Sequence, residues 1–159
     1  MMGVMKMKIV IDTREQAPLD FGPYDCEVVR SSLTTGDYGI AGIESLAAVE
    51  RKSEDDLLGC LTSQRSRFER ELARARGMEM FAVVAETTWE RLARGQYRSQ
   101  MRPHACLQSI LAFQVRYGVP FILVGSHEAA AYCVHHLLAR FVAEQETRLK
   151  AVLANLAAA

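Results

Sequence analysis

The order in which two apolar periods occur constrains the fold more than any other feature. Up to Lys52 the chain is written in short β-branched or alternating runs, whereas from Ser53 the apolar period lengthens to that of a helix. Lys8-Ile-Val-Ile-Asp-Thr13 reads as a buried strand, residues 14–24 with Pro18, Gly22 and Pro23 as a loop, and residues 26–30 as a second strand. Residues 33–43 hold too many glycines for a helix and space Tyr38 and Ile40 by two; with the run 46–52 they read as a hairpin turning near 42–45. Ser53-Glu-Asp-Asp56 is a capping-box pattern ahead of Leu57, Leu58 and Leu61, and residues 64–76 continue as a charged helix with Phe68, Leu72 and Ala75 on one side. Then come a strand at 80–85 and a second capping-box pattern, Thr87-Thr-Trp-Glu90, opening a short helix to about 94. A helix from Pro103 to a Gly118 stop, a strand at 120–124 and a helix from 126 to about 153 that fades into an alanine tail complete the chain. Strands first, then strands alternating with helices, predict an α/β domain with a mixed central β-sheet flanked by helices.

Composition narrows the class. At 159 residues and 50% apolar, the chain fits a single domain over 1–159, with its core at about 8–142 and a C-terminal helix and alanine-rich tail at 143–159. Cys26, Cys60, Cys106 and Cys133 form no CxxC pair, so they suggest reduced thiols and an intracellular protein, in the cytoplasm or the nucleoid or nucleus, without a zinc ribbon. Apolar runs are too short to span a bilayer, and residues 1–8 lack the apolar region of a secretory signal. The four histidines show no metal-binding set, and Trp89, just inside a helix, is expected in the core. Formal net charge is zero, so any case for nucleic acid rests on local patches.

Chemistry concentrates in Val49-Glu-Arg-Lys52 and the acids before it. On a strand Glu50 and Lys52 share a face and Arg51 takes the other. A carboxylate and an ammonium on one face, beside Asp37 from the preceding hairpin strand, form the arrangement that a hydrolytic magnesium site needs: hard oxygens for the ion and a cation for the phosphate. Asp37, twelve residues, Glu50, one residue, Lys52 is the D…ExK signature of restriction-endonuclease-like nucleases. Alone it competes with an exposed Glu50/Lys52 strand pair and an ordinary Gly-Asp turn.

The flanking residues decide between these. Ile11-Asp-Thr-Arg-Glu15, Thr35-Gly-Asp-Tyr38 and Val49-Glu-Arg-Lys-Ser53, with Asp56 beyond, resemble in order and interval the XPF-type nuclease domain, whose hallmark is GD…ERKxxxD. The resemblance extends through the 80–85 strand, Arg102-Pro-His-Ala and Gly118-Val-Pro-Phe, covering most of residues 8–140. It implies a restriction-endonuclease-like fold and a metal-dependent endodeoxyribonuclease using Mg2+, with Mn2+ as a substitute. In it Asp37 and Glu50 are metal ligands, the Arg51 carbonyl a third, Lys52 the catalytic lysine, and Asp12 a further acid bound directly or through water. Arg14 and Glu15 match positions lining the cleft; Arg51 and Asp56 support it. Arg51 has a competing role in a buried salt bridge, and Asp56 is equally explained by the dipole of the helix it begins.

Two arginine-rich stretches, 65–76 and 91–102, supply candidate phosphate contacts. Arg65, Arg67 and Arg70 follow the motif helix, and one of the first two matches a DNA-facing arginine of the family; the alternative is a solvated face with i,i+4 pairs. The resemblance further implies branched DNA or a duplex to single-strand junction as substrate, in repair or recombination. It also implies a homodimer through the later helices around Leu107, Ile110, Leu111, Phe113 and residues 129–142, although core packing explains those residues too. No hairpin Gly-x-Gly pattern of the tandem helix-hairpin-helix module that often follows this domain is found. Junction selectivity is then expected from a partner subunit, unless the chain is a small stand-alone nuclease or a piece of a larger protein. Alternatives in other classes are a catalytically silent DNA-binding or scaffold subunit, and a junction resolvase or defence nuclease of the same superfamily.

Overall fold

The computed structural model describes residues 6–158; most of the 1–8 segment and the last alanine of the tail lie outside it. Six strands form one mixed sheet: β1 (Lys8–Asp12), β2 (Glu27–Ser31), β3 (Tyr38–Ile40), β4 (Ala47–Ser53), β5 (Met80–Glu86) and β6 (Phe121–Leu123). Their order is β2-β1-β3-β4-β5-β6, antiparallel at β1/β3 and β3/β4 and parallel elsewhere. The expected hairpin is β3–β4, with Gly42 at φ +92 in its connection.

Helices cover both faces. Alternation along β4 sends Ala48, with Phe81, Val83 and Ala85 of β5, to one side. There α1 (Glu54–Leu61), α2 (Arg65–Ala75), α3 (Trp89–Ala93) and α4 (Pro103–Tyr117) bury Leu57, Phe68, Leu72, Leu92, Ile110 and Phe113. Ala47, Val49, Tyr38, Ile40 and Val84 face the other side, against α5 (His127–Ala157) through Ala130, Ala131, Val134 and Leu138. Fully burying a side chain the size of Leu72 or Phe68 contributes roughly 1.5–3 kcal/mol, so both layers stabilise the sheet between them. The α5 helix is continuous to Ala157, about 46 Å at 1.5 Å per residue, and its last turns expose Leu149, Val152, Leu153 and Leu156.

Helix ends follow the expected chemistry with two differences. Ser53 Oγ accepts from Asp56 N at α1, Pro103 opens α4, Gly118 ends it at φ +66, and Ser126 Oγ accepts from Ala129 N at α5. The second capping box is shifted by one residue: Thr88 caps α3, because the Thr87 hydroxyl donates instead to Glu54 Oε2 at 2.6 Å. Trp89 is 41% exposed rather than in the core, since the five-residue α3 turns only Leu92 inward. Among the dimer candidates, Ile110 and Phe113 are consumed by the core, whereas Leu111 lies open to solvent. No described helix is long and apolar enough to cross a membrane.

Candidate active site

Asp12, Asp37 and Glu50 stand in a rank across three neighbouring strands. The ladders pair Ile11 with Tyr38 and Tyr38 with Val49. One step further along each brings Asp12 beside Asp37, and Asp37 beside Glu50. Main-chain bonds carry the register there: Asp12 N donates to Asp37 O at 2.8 Å, and Asp37 N to Val49 O at 2.9 Å. Strand alternation then sends the three carboxylates and Lys52 to the α1–α4 side, and Arg51 to the α5 side. Gly36 makes this approach possible. It sits at φ +84, and a Cβ there would lie 2.9 Å from Ala48 Cβ and 3.2 Å from Val49 O.

The rank opens into a cavity of about 280 Å3 lined by Asp12, Arg14, Asp37, Glu50, Lys52 and the α2 face of Gln64, Arg67, Glu71 and Arg74. Lys52 Nζ donates to Glu50 Oε1 at 2.5 Å and lies 5.7 Å from the Phe68 ring centroid. Among the described residues Asp37 Oδ2 accepts only from Arg51 N, at 2.8 Å. Burial, then the charge of Glu50, pushes the Asp37 carboxyl up to about 7. Burial likewise lifts Glu50 to about 7, Glu71 adding to the lift against the pull of Lys52. Burial works against the Lys52 charge, but the Glu50 carboxylate outweighs it and holds the ammonium form.

Asp12 behaves differently. Its Oδ1 accepts from Arg14 N (2.9 Å) and Nε (2.8 Å), and its Oδ2 from Leu33 N (2.6 Å) and Arg14 Nη2 (3.2 Å). The Arg14 side chain, then the Leu33 N–H, hold its carboxyl at about 2 against the effect of burial. Both oxygens are thus occupied, and Arg14, held by them and by Leu33 O, lines the cavity.

On the opposite face Arg51 is a hub. Its Nε and Nη2 grip Glu15 at 2.9 and 3.0 Å, and Nη1 meets Glu86 Oε1 at 2.9 Å. Glu15 also accepts from Tyr38 Oη and Ala17 N, while Glu86 accepts from or pairs with His127 Nδ1 at 2.7 Å. The competing role weighed for Arg51, a buried salt bridge behind the sheet, is the arrangement present. Glu15, Asp56 and His127 nevertheless line a second cleft of about 500 Å3 that also reaches Asp37, Glu50 and Lys52, so the acidic centre lies between two grooves.

The arginines divide. Arg67 lies on the cavity wall, but Arg65 turns to α4, with Nη1 on Ser109 Oγ at 2.9 Å and its guanidinium 4.6 Å from the Phe113 ring centroid. Arg70 is exposed and lines neither groove. In the second stretch Arg91 is bound to Glu54 and Arg98 is almost fully exposed. Arg74, within the arginine-rich stretch, also reaches the cavity, and so does Glu71, which an alternating Arg/Glu helix disguises as part of a solvated face. Their spacing of three from Phe68 to Glu71 and from Glu71 to Arg74 would place them beside Lys52 once Phe68 is known to pack there.

The sequence pattern of the ERCC4 domain matches residues 11–137. The chain belongs to this family. It is an XPF-type nuclease domain, and its sheet has the restriction-endonuclease-like architecture. Similar solved structures are XPF from Aeropyrum pernix, 20% identical with a TM-score of 0.68 over 83% of this chain, and the same protein in complex with DNA, 22% identical with a TM-score of 0.69 over 88%. This chain spans 60% and 66% of those two chains. No curated protein matches it.

The donor set fits a hard divalent cation. Asp37 and Glu50 offer carboxylate oxygens facing each other in a pocket that disfavours both charges. Among the described residues no three acidic, histidine or cysteine side chains converge tightly enough to cage an ion unaided. Magnesium suits such a site, because it keeps several waters and accepts substrate phosphate oxygens.

Proposed function

We propose that this ERCC4-family chain is a metal-dependent DNA endonuclease that hydrolyses a phosphodiester at a branch, flap or duplex to single-strand junction. The observation that carries this reading is Asp37 placed across the ladder from Glu50, with Lys52 on the same face and arginines on the cavity wall. The DNA named with the Aeropyrum pernix structure supports nucleic acid as the substrate class.

Asp37 and Glu50, with the Arg51 carbonyl, would hold Mg2+ or Mn2+. When bound, the ion supplies an activated water and neutralises phosphate charge. Lys52 keeps its proton and faces the same space, so its part is to donate to a phosphate oxygen as charge develops there. Arg67, Arg74 and Arg14 position the backbone through phosphate contacts, which carry no sequence preference. The saturated bonds of Asp12 suit it to anchoring Arg14 and the Leu33 loop, or to reaching the ion through water, rather than to direct ligation. Two copies pairing through the open parts of α4 and α5, Leu111, Val115 and Tyr132, would present two such grooves; sedimentation reads that state.

Purified protein is to be offered flap, fork, linear duplex and single-stranded DNA, with magnesium and with chelator. Cleavage of flap or fork with magnesium only, lowered at least about a hundredfold in Asp37→Asn, supports the reading. Binding without cleavage in wild type favours the silent scaffold.

A further inference from the structure

The α2 helix carries two glutamates in different circumstances. Glu69 is held against α4: it accepts from Arg116 Nη1 at 2.5 Å and from Tyr117 Oη at 3.1 Å, and lies 3.9 Å from Arg65 Nε. Glu71 is half-buried, lines the cavity of the acidic rank and makes no ion pair among the described residues, although Arg67 and Arg74 flank it on the same helix. Instead its carboxyl comes within hydrogen-bonding reach of Glu50 and contributes to the field at Lys52.

A carboxylate beside Glu50, with arginines one turn away on either side, gives up available attraction for repulsion. Arg67 and Arg74 line the same cavity, yet neither pairs with Glu71 among the described residues, so its carboxylate stays available to the acidic rank. A hard divalent cation there gains from each further carboxylate oxygen within reach.

We propose that Glu71 is the third acidic residue of the metal site, adding a carboxylate to the divalent cation that Asp37 and Glu50 would hold. The proposal rests on reading the rank as a metal centre. Glu71 is a positioning residue on a helix, whereas Asp37 and Glu50 stand on or beside neighbouring strands.

Calorimetric titration of Mn2+ into the DNA-free protein tests this without any reaction. Wild type, Asp37→Asn, Glu71→Gln, Glu71→Ala and Glu69→Gln are compared, each checked for a single cooperative melting transition in chelator. Expected are Mn2+ binding by wild type and Glu69→Gln alike, its loss in Asp37→Asn, and a weakening of roughly 10- to 100-fold in both Glu71 variants. Glu71 variants that bind within about twofold of wild type, or no worse than Glu69→Gln, overturn the role of Glu71 and leave the metal centre standing. Wild type without Mn2+ binding, or Asp37→Asn equal to it, overturns the metal reading and this proposal with it. Should Glu71→Gln fail to fold, Glu71→Ala decides alone; should both fail, Glu71 is a structural residue and the proposal falls.

Discussion

Asp37 is charged at a cost. Its folded carboxyl is raised to about 7 from an ordinary 3.8 by burial and by Glu50, so its protonated form contributes stability that is fully present below about pH 4 and lost as pH rises through 7. Without metal, Asp37→Asn keeps an acceptor for Arg51 N and removes that cost. It should be more stable than wild type at pH 8 by at least about 1 kcal/mol, or ~3 °C in melting temperature, with the advantage shrinking as pH falls toward 4. Thermal melts in chelator across that range check it; a variant less stable than wild type at pH 8 contradicts the assigned environment. Asp12 has the opposite sign, its carboxyl held at about 2 by Arg14, and contributes stability that is lost only as pH falls from about 4 toward 2. Two acids one ladder step apart thus differ because one has a guanidinium and the other has carboxylates for company.

Among the elements, β4 carries the most chemistry, because each of its faces serves a different purpose. Glu50 and Lys52 enter the cavity while Arg51 binds the 14–17 loop, β5 and, through Glu86, the start of α5. The Arg51 side chain is 9% exposed and its partner Glu15 5%. Arg51→Ala leaves those acids buried without their cation, and should destabilise the fold by about 3–5 kcal/mol in urea unfolding. A loss below about 1 kcal/mol would mean the hub is dispensable. Gly36 acts at the same scale: its left-handed backbone and missing Cβ let the β3 approach press against β4, which sets Asp37 across from Glu50.

Across the whole molecule, the α/β layering, the β3–β4 hairpin and the ExK strand were legible because each is written in local periodicity and turn residues. The shared face of Glu50 and Lys52, with Arg51 opposite, follows from strand alternation alone. What was not legible depends on orientation between elements. Nothing local says that α2 rests with Phe68 beside Lys52, so Glu71 reads as solvent-facing and Arg65 as a DNA contact, although Arg65 is bound to Ser109 and stacked on Phe113. Trp89 misled because aromatic size suggests burial where a five-residue helix has only one inward position. The strand β2 is open at the sheet edge, with Val28 and Val29 exposed, which a β-branched run by itself does not reveal.

Crystals soaked in manganese and measured at its absorption edge address the central claim most directly. The account predicts one anomalous peak bridging the Asp37 and Glu50 carboxylates, on the Lys52 side of the sheet. Manganese bound only elsewhere, with those two side chains ordered and unliganded at saturating metal, would contradict it.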